Sequence, residues 1–556
     1  MKVYYNGTIL TMEDDMLGAE ILVEQDGKIL FVGKEADAPL IDDLAQWIDL
    51  QGHTLMPAFI DGHGHLSSTG MFLKNASLLD AESFDDIVEI LNAYKAKHPD
   101  ATSIIGMGYD HNFLKEGTHP TKEVLDRVSS DIPIAIIHTS VHMAAANSKL
   151  LEMAGINKDT PEIPGGVIAR DENGEPQGLL EEMAMHAVLP AVGDIFAAGD
   201  AEDMVKAQDL YIENGILTVQ EGAANGDNVN ATRKLAAEGK LKCDVVSYPC
   251  FTMGDGKAAE TVHDNLDCVG KYVNRFKIGG YKLVLDGSLQ CKTGWITKPY
   301  EGEESYAGYP WVSDEEVQQY VDTAVDEGLQ LLTHCNGDAA GDQFLKAYEK
   351  SVARFPEGDS HHKLRPVMIH CQTARNDQLD RMAKLDMLAS IFVAHANYWG
   401  DVHLKNLGPE RAAHISPVKD AMDRGIICNF HTDTPVTMPY MMHSVWAAAN
   451  RVTRGGIVLG EDQCVPVLDA LKAITINAAY SYFEEDEKGS LKAGKKADLV
   501  VLDKNPLAVD KMDIKDIRVL CSIKEGEVLY QAPSEYDYTS IDPSAILEDD
   551  VLYQVD

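Results

Sequence analysis

The octapeptide FIDGHGHL, Phe59–Leu66, sets His63 and His65 two positions apart at the end of an apolar run. Side chains at i and i+2 of extended backbone project to the same side, so the two imidazoles converge. Convergent imidazoles make half of a site for a divalent cation such as zinc. An HxH pair alone is a weak signal, because a structural or exposed pair has the same spelling. Three more ligand-type residues share its setting: His334 closes QLLTH, His370 closes PVMIH, and Asp433 follows IICNF in NFHTDTP.

Such scattered residues need a scaffold that gathers them. Through the middle of the chain, strand-like apolar runs alternate with helical stretches, the pattern of a parallel barrel or doubly wound sheet. The runs are Met56–Asp61, Gly215–Glu221, Asp244–Cys250, Gly280–Asp286, Gln330–His334, Pro366–His370, Leu388–Ala394 and Ile426–Phe430. Eight is the number that closes a (β/α)8 TIM-type barrel, whose chemistry sits at the C-terminal ends of the strands. The candidate ligands then stand after strands one, five, six and eight and face one mouth.

The interval between Asp61 and Gly215 is far longer than one helix and two loops. Within it Ser103–Gly108 and Ile132–His138 read as strands, and Phe84–Lys97 and Thr121–Val128 as helices. An inserted α/β lobe over about residues 70–200 is expected above the mouth. At the N-terminus Lys2–Tyr5, Ala19–Glu24 and Lys28–Val32 are strand-like and separated by Asn-Gly and Asp-Gly turns. Ala497–Leu502, Ile517–Lys524 and Val528–Gln531 repeat that character near the other end. Each set is too small to fold alone, so the two are expected to pair as one split β-sandwich. The expected plan is 1–55 and 489–535 for that domain, 56–488 for the barrel, and 536–556 for an acidic tail.

The 556 residues carry 48 Lys and Arg against 89 Asp and Glu, a formal charge of -41, which argues against a nucleic-acid partner. The opening MKVYYNGTILTMEDD lacks the apolar core of a signal peptide, and no long apolar run follows, so a cytoplasmic protein away from membranes is expected. Nine cysteines without CxxC spacing fit reduced thiols. Cys335 and Cys371 each follow a candidate histidine and are expected to point away from it, outside the barrel.

With these motifs in place the chain resembles the amidohydrolase superfamily, whose pattern is HxH after strand one, a bridging residue after strand four, His after strands five and six, and Asp after strand eight. It is most similar to the branch that includes N-substituted formamide deformylases, through LDGSLQCKTG (Leu285–Gly294), HCNGDAA (His334–Ala340), GGVIARDENGEPQGLLEE (Gly165–Glu182) and KGSLKAGKKADLVVLDKNPL (Lys488–Leu507). Three stretches depart. Gly62 stands where relatives usually have serine in IDSHxH, Gln290-Cys291-Lys292 replaces part of GSLGSRTA, and MIHCQ replaces IEHAQ.

The resemblance implies hydrolysis of a non-peptide C–N bond in a small molecule, an amide, N-formyl or N-acyl compound or cyclic amide, by one or two divalent metal ions. Zinc is expected, with manganese or iron as alternatives, in a homodimer. It implies His63, His65, His334, His370 and Asp433 as ligands, with Asp433 also moving protons as general acid/base and His395 donating to an oxyanion. Lys282 either carries a carboxyl group and bridges two cations, or stays a plain lysine paired with Asp286. Carbamate formation needs a neutral amine, which burial near cations favours. Glu221 is an alternative metal or pocket carboxylate. Asp286, Tyr109, Asp110 and Trp399 are substrate-binding candidates, beside Asn397, Tyr398 and His142; loop packing explains the aromatics as well. Arg451 and Arg454 either clamp an anionic group or are solvated. Ester or lactone hydrolysis, deamination, a non-hydrolytic reaction, or a binding role without catalysis would use the same scaffold.

Overall fold

The computed structural model describes residues 1–41, 44–192, 201–254 and 256–533; the expected acidic tail over 536–556 lies outside the described residues. The fold is α/β, with five sheets among the described residues. Two of them hold parallel strands only. One runs in the order Phe276–Ile278, Asp244–Pro249, Ile216–Ala224, Phe59–Ile60, and the other in the order Gly280–Val284, Gln330–Cys335, Val367–His370, Leu388–Ile391, Cys428–Phe430. Nearly every residue of these strands is buried, as expected when helices or side chains cover both faces.

The chain passes from one parallel sheet to the other just before the fourth run. Phe276–Ile278 pairs with Asp244–Pro249, whereas Gly280–Val284 pairs with Gln330–Cys335. The break falls at Gly279, where a Cβ would come within 2.4 Å of the Tyr248 ring, so the close approach requires glycine. Across the break the Phe251 amide donates to the Lys282 carbonyl at 3.0 Å, and at the far edges the Gly62 amide donates to the Phe430 carbonyl at 3.2 Å.

The first run is divided. Thr54–Pro57 pairs antiparallel with Leu499–Leu502 in a six-stranded sheet that joins N-terminal and C-terminal strands, while Phe59 pairs in parallel with Ile216. Only the last two strand residues of the expected Met56–Asp61 strand therefore lie with the parallel strands. Lys2–Tyr5, Ile21–Gln25, Lys28–Gly33 and Gln46–Asp49 form a separate four-stranded sheet.

Between Phe59–Ile60 and Ile216–Ala224 lies a mixed six-stranded sheet that includes Ile104–Tyr109, Ile134–His138, Met143–Ala146 and Pro176–Glu182. Helix Phe84–Lys97 flanks it. Ser83 caps that helix by accepting from the Asp86 amide at 3.2 Å, with acids in the first turn and lysines in the last. No helix among the described residues is long and apolar enough to cross a membrane.

A buried ionic cluster stitches the terminal strands to the parallel sheet. Asp244 accepts from Lys488 at 2.5 Å and Lys524 at 2.7 Å and pairs with Arg275 at 3.2 Å. Lys524 also reaches Asp498, and Glu484 pairs with Lys488 and Lys277. Burial alone would raise the Asp244 carboxyl, but Lys488 and Lys524 hold it well below the ordinary carboxylate range. Removing one member strands its partners as buried charges. Asp244→Ala is expected to cost about 3–5 kcal/mol in chemical denaturation. Because the folded-state value is depressed, the wild-type advantage is present at neutral pH and shrinks as pH falls below the unfolded carboxylate range near about 4; an advantage that does not change with pH would exclude the ion-pair origin.

Candidate metal centre

Asp433 is where the strand-end residues meet. Its Oδ1 lies 3.2 Å from His65 Nε2 and 3.6 Å from His63 Nε2, and its Oδ2 lies 3.7 Å from His370 Nε2. The ring of His334 is 4.6 Å from that of His370, centroid to centroid. Nitrogen and oxygen donors of His63, His65 and Asp433, and likewise of His370, His431 and Asp433, fall within 4.8 Å of one another. The residues expected at the ends of strands one, five, six and eight thus share one buried mouth.

Burial holds two of these imidazoles, His63 and His370, in the neutral form. Burial lowers His63 and His370 well below the ordinary histidine value, with Lys282 adding to the first and His334 to the second. Gln220 donates its amide N–H groups to the Gly62 carbonyl and the Tyr482 hydroxyl, so its Oε1 must face His63 Nδ1, 2.5 Å away. Nδ1 of His63 then carries the proton and Nε2 is free to ligate. Asp286 does the same for His334, accepting from its Nδ1 at 3.1 Å. His431 sits between Ser390 Oγ, 2.8 Å from its Nδ1, and His370 Nδ1, 3.2 Å from its Nε2.

Asp433 responds oppositely. Burial pushes its carboxyl up, but His65, His370 and His63 outweigh that and hold it well below the usual range. Oδ1 receives no well-formed hydrogen bond. Three imidazoles around an ionised, underused carboxylate are the donor set a divalent cation takes, so the residues present fit a metal. His370 and Asp433 also hold left-handed backbone, with φ of 67° and 55°. Non-glycine residues there cost about 1–3 kcal/mol each and persist where the surroundings impose them.

Lys282 is buried, its Nζ 3.2 Å from His63 Nε2, and burial lowers its amine from 10.5 to about 8. The expected alternative of a Lys282–Asp286 pair is corrected. Both Asp286 oxygens are taken by His334, by the Asn336 and Gly337 amides at 3.0 and 2.7 Å, and by the Trp295 amide at 3.0 Å. Placed among these donors, Asp286 fixes His334 rather than opening toward a ligand. Glu221 is committed likewise, accepting from the Ser67 amide at 2.7 Å.

Other expected residues lie outside this ring. His395 is buried with Nδ1 unpartnered, its ring 5.9 Å from His370. Trp399 packs 5.5 Å from His395 and donates Nε1 to Asp110 Oδ2 at 2.7 Å, while the Tyr109 hydroxyl pairs with His119 at 3.0 Å. His142 brings the lobe to the mouth, 5.3 Å from His334, and pairs with Glu182. Arg451 is neither solvated nor an anion clamp: it is 1% exposed and spends its guanidinium on the carbonyls of Leu459, Ile415 and Ser416. Arg454 lies over the Phe113 and Tyr398 rings, tying lobe to mouth. Cys335 and Cys371 are buried in the core shared with the flanking helices, and burial raises both thiols.

Sequence reasoning missed Gln220 and His431. Gln220 is a polar residue inside the apolar run GILTVQE, and His431 stands two before Asp433, the same spacing that revealed His63 and His65.

The model of the amidohydrolase family matches residues 46–530. The chain belongs to the amidohydrolase family. This amidohydrolase is 28% identical to the N-substituted formamide deformylase of Arthrobacter pascens over 95% of the chain and 97% of that protein. It also superposes on an uncharacterized metal-dependent hydrolase from Pyrococcus horikoshii OT3 with a TM-score of 0.73, at 28% identity over 92% of this chain and 99% of that one. A second such hydrolase, from Pyrococcus furiosus, gives 0.70 at 26% identity, covering 91% and 99% of the two chains.

Gly62 explains one departure from the family spelling. A Cβ there would stand 2.0 Å from Asn429 Oδ1, so this amidohydrolase cannot carry serine beside Asn429 without displacement. Gly62→Ala is expected to destabilise by about 1–3 kcal/mol. Adding Asn429→Ala should return part of that loss in a denaturation double-mutant cycle, and strict additivity would refute the clash.

Proposed function

We propose that this amidohydrolase hydrolyses a non-peptide C–N bond of a small amide, N-formyl or N-acyl compound, or cyclic amide. The observation that carries the proposal is the convergence of His63, His65 and His370 Nε2 on the Asp433 carboxylate within 3.2–3.7 Å. Family membership and the likeness to a formamide deformylase support the bond type.

His63, His65, His334, His370 and Asp433 would hold one or two divalent cations, zinc foremost. When bound, such a cation lowers the pKa of water toward neutrality and polarises a carbonyl. Asp433 takes the proton from the attacking water on its underused oxygen and hands it to the leaving nitrogen. Its ionised state at neutral pH suits it to start as the base. His395, neutral and with one ring nitrogen unpartnered, turns a donor toward the developing oxyanion. Asp286 and Gln220 fix the tautomers of His334 and His63. Lys282 is read as a carbamate bridge, supported by its burial against His63 and its freedom from Asp286. Tyr109, Asp110 and Trp399 are assigned to the wall of the substrate pocket.

The scaffold is read as one barrel of eight strands spanning 56–488, supported by the contacts of Gly62 with Phe430 and of Phe251 with Lys282. The sheets from 1–55 and 489–535 are read as one split sandwich, supported by the antiparallel pairing of Thr54–Pro57 with Leu499–Leu502.

A panel of N-formyl, N-acyl and cyclic amide substrates tests the activity. Turnover is expected to vanish on chelation and to return with zinc or manganese; full turnover in metal-free protein would sink the mechanism. Asp433→Asn should lower kcat by roughly 10²–10⁴. Lys282→Ala should lose metal in elemental analysis, with partial recovery of activity by short carboxylic acids. Unchanged metal content in Lys282→Ala removes the bridge and leaves the hydrolase assignment standing.

A further inference from the structure

The inserted lobe brings to the mouth a pair that the hydrolytic mechanism leaves unused. His142 stands just before strand Met143–Ala146, and Glu182 ends strand Pro176–Glu182. The Glu182 amide donates to the His142 carbonyl at 2.8 Å. The side chains meet as well: Glu182 Oε2 accepts from His142 Nδ1 at 2.8 Å and from Trp311 Nε1 at 3.1 Å. Glu182 is fully buried, whereas 15% of the His142 side chain is exposed, with its ring 5.3 Å from that of His334. Among the described residues the other ring nitrogen of His142, Nε2, makes no hydrogen bond.

The pair is built at a cost that packing alone does not explain. Glu182 Oε1 is buried without a hydrogen-bond partner. A Cβ at Gly287 would come within 2.1 Å of that oxygen, so the loop after Gly280–Val284 closes over it only with glycine there. Glu182 also holds left-handed backbone, with φ of 50°, which a residue with a side chain keeps only where its surroundings impose it. Strain of this kind gathers at functional sites. A buried carboxylate that accepts Nδ1–H fixes the ring and its tautomer, as Asp286 does for His334. Nε2 of His142 then presents a lone pair to the mouth. The donors that close around Asp433 come from His63, His65, His370 and His431, not from the lobe. His142 is thereby left for the substrate.

We propose, on the hydrolase reading above, that His142 Nε2 accepts the N–H of the scissile amide and that Glu182 positions it to do so. The enzyme then selects primary and N-monosubstituted amides over N,N-disubstituted ones. Water adds to the carbonyl carbon, the C–N bond breaks, and the nitrogen takes the proton that Asp433 removed from the water. His142 exchanges no proton in this sequence. Held by its N–H, the nitrogen keeps its lone pair on another side, open to the proton from Asp433. An N-methyl group would set carbon against Nε2 and leave that acceptor unpaired, the case in which a polar site discriminates most strongly.

The test compares N-butylformamide with N-butyl-N-methylformamide on the metal-loaded, full-length protein at pH 9. Burial opposes charge on His142, but Glu182, Asp286 and Asp433 raise the ring above its ordinary value, and pH 9 lies above the usual histidine range. The wild type is expected to favour the N–H amide at least about a hundredfold in kcat/KM. His142→Phe should shrink that ratio to within about threefold, chiefly by slowing the N–H amide, and keep its metal in elemental analysis. Should His142→Phe fail to fold, Glu182→Leu is expected to lose the selectivity and Glu182→Gln, which retains an acceptor for Nδ1–H, to restore much of it. Calorimetry with N-butylmethanesulfonamide and its N-methyl derivative, neither of them hydrolysed, reads the contact without turnover. The N–H compound should bind the wild type at least about tenfold more tightly, and His142→Phe should lose the difference. That binding difference without turnover of any amide would sink the hydrolase reading and leave the His142 contact standing. A wild type that treats both members of each pair alike, or selectivity that persists in His142→Phe, would overturn the proposal. Loss of metal from His142→Phe would overturn it in favour of a ligand role.

Discussion

A carboxylate buried among imidazoles governs this structure. Isolated in a dry interior, Asp433 would protonate; its interactions with His65, His370 and His63 hold the carboxyl well below the usual range. Burial keeps His63 and His370 neutral, and Gln220, Asp286 and His431 set the outer nitrogens of His63, His334 and His370. Two of these outer partners are fixed in turn by backbone, Gln220 by the Gly62 carbonyl and Asp286 by three amides, and the third, His431, by the Ser390 hydroxyl. The mouth is therefore preorganised through two layers of hydrogen bonds, the arrangement that supports a metal site.

That arrangement is costly. It holds His370 and Asp433 at positive φ and packs Gly62 and Gly222 against the side chains of Asn429 and His63 with no room for a Cβ. The compensation lies elsewhere, in strands buried on both faces and in the cluster where Asp244 joins Lys488 and Lys524 to the parallel sheet. The terminal segments, although distant from the mouth, hold the end of the sheet from which the first strand departs.

The lobe divides its residues between two tasks. His142 reaches the metal centre beside His334, whereas His138 lies between Asp110 and Cys291. Trp399 touches both groups, with its ring against His395 and its N–H on Asp110. A change at Cys291 would thus sit one side chain away from the wall of the mouth.

The sequence by itself determined which side chains gather at the strand ends. His63, His65, His334, His370 and Asp433 were legible because strand periodicity is local and the runs that carry them are short, apolar and regularly spaced. Helix Phe84–Lys97 was legible to the residue for the same reason, since its cap and end charges are local. Only the tertiary structure decided what distant side chains do to one another. That Lys282 meets His63 while Asp286 is taken up by the amides of Asn336, Gly337 and Trp295 depends on loops from more than one strand. That Arg451 binds carbonyls rather than solvent depends on loops far along the chain. The contact of Cys291 with His138 joins residues 153 positions apart, and no spacing rule reaches across an inserted lobe.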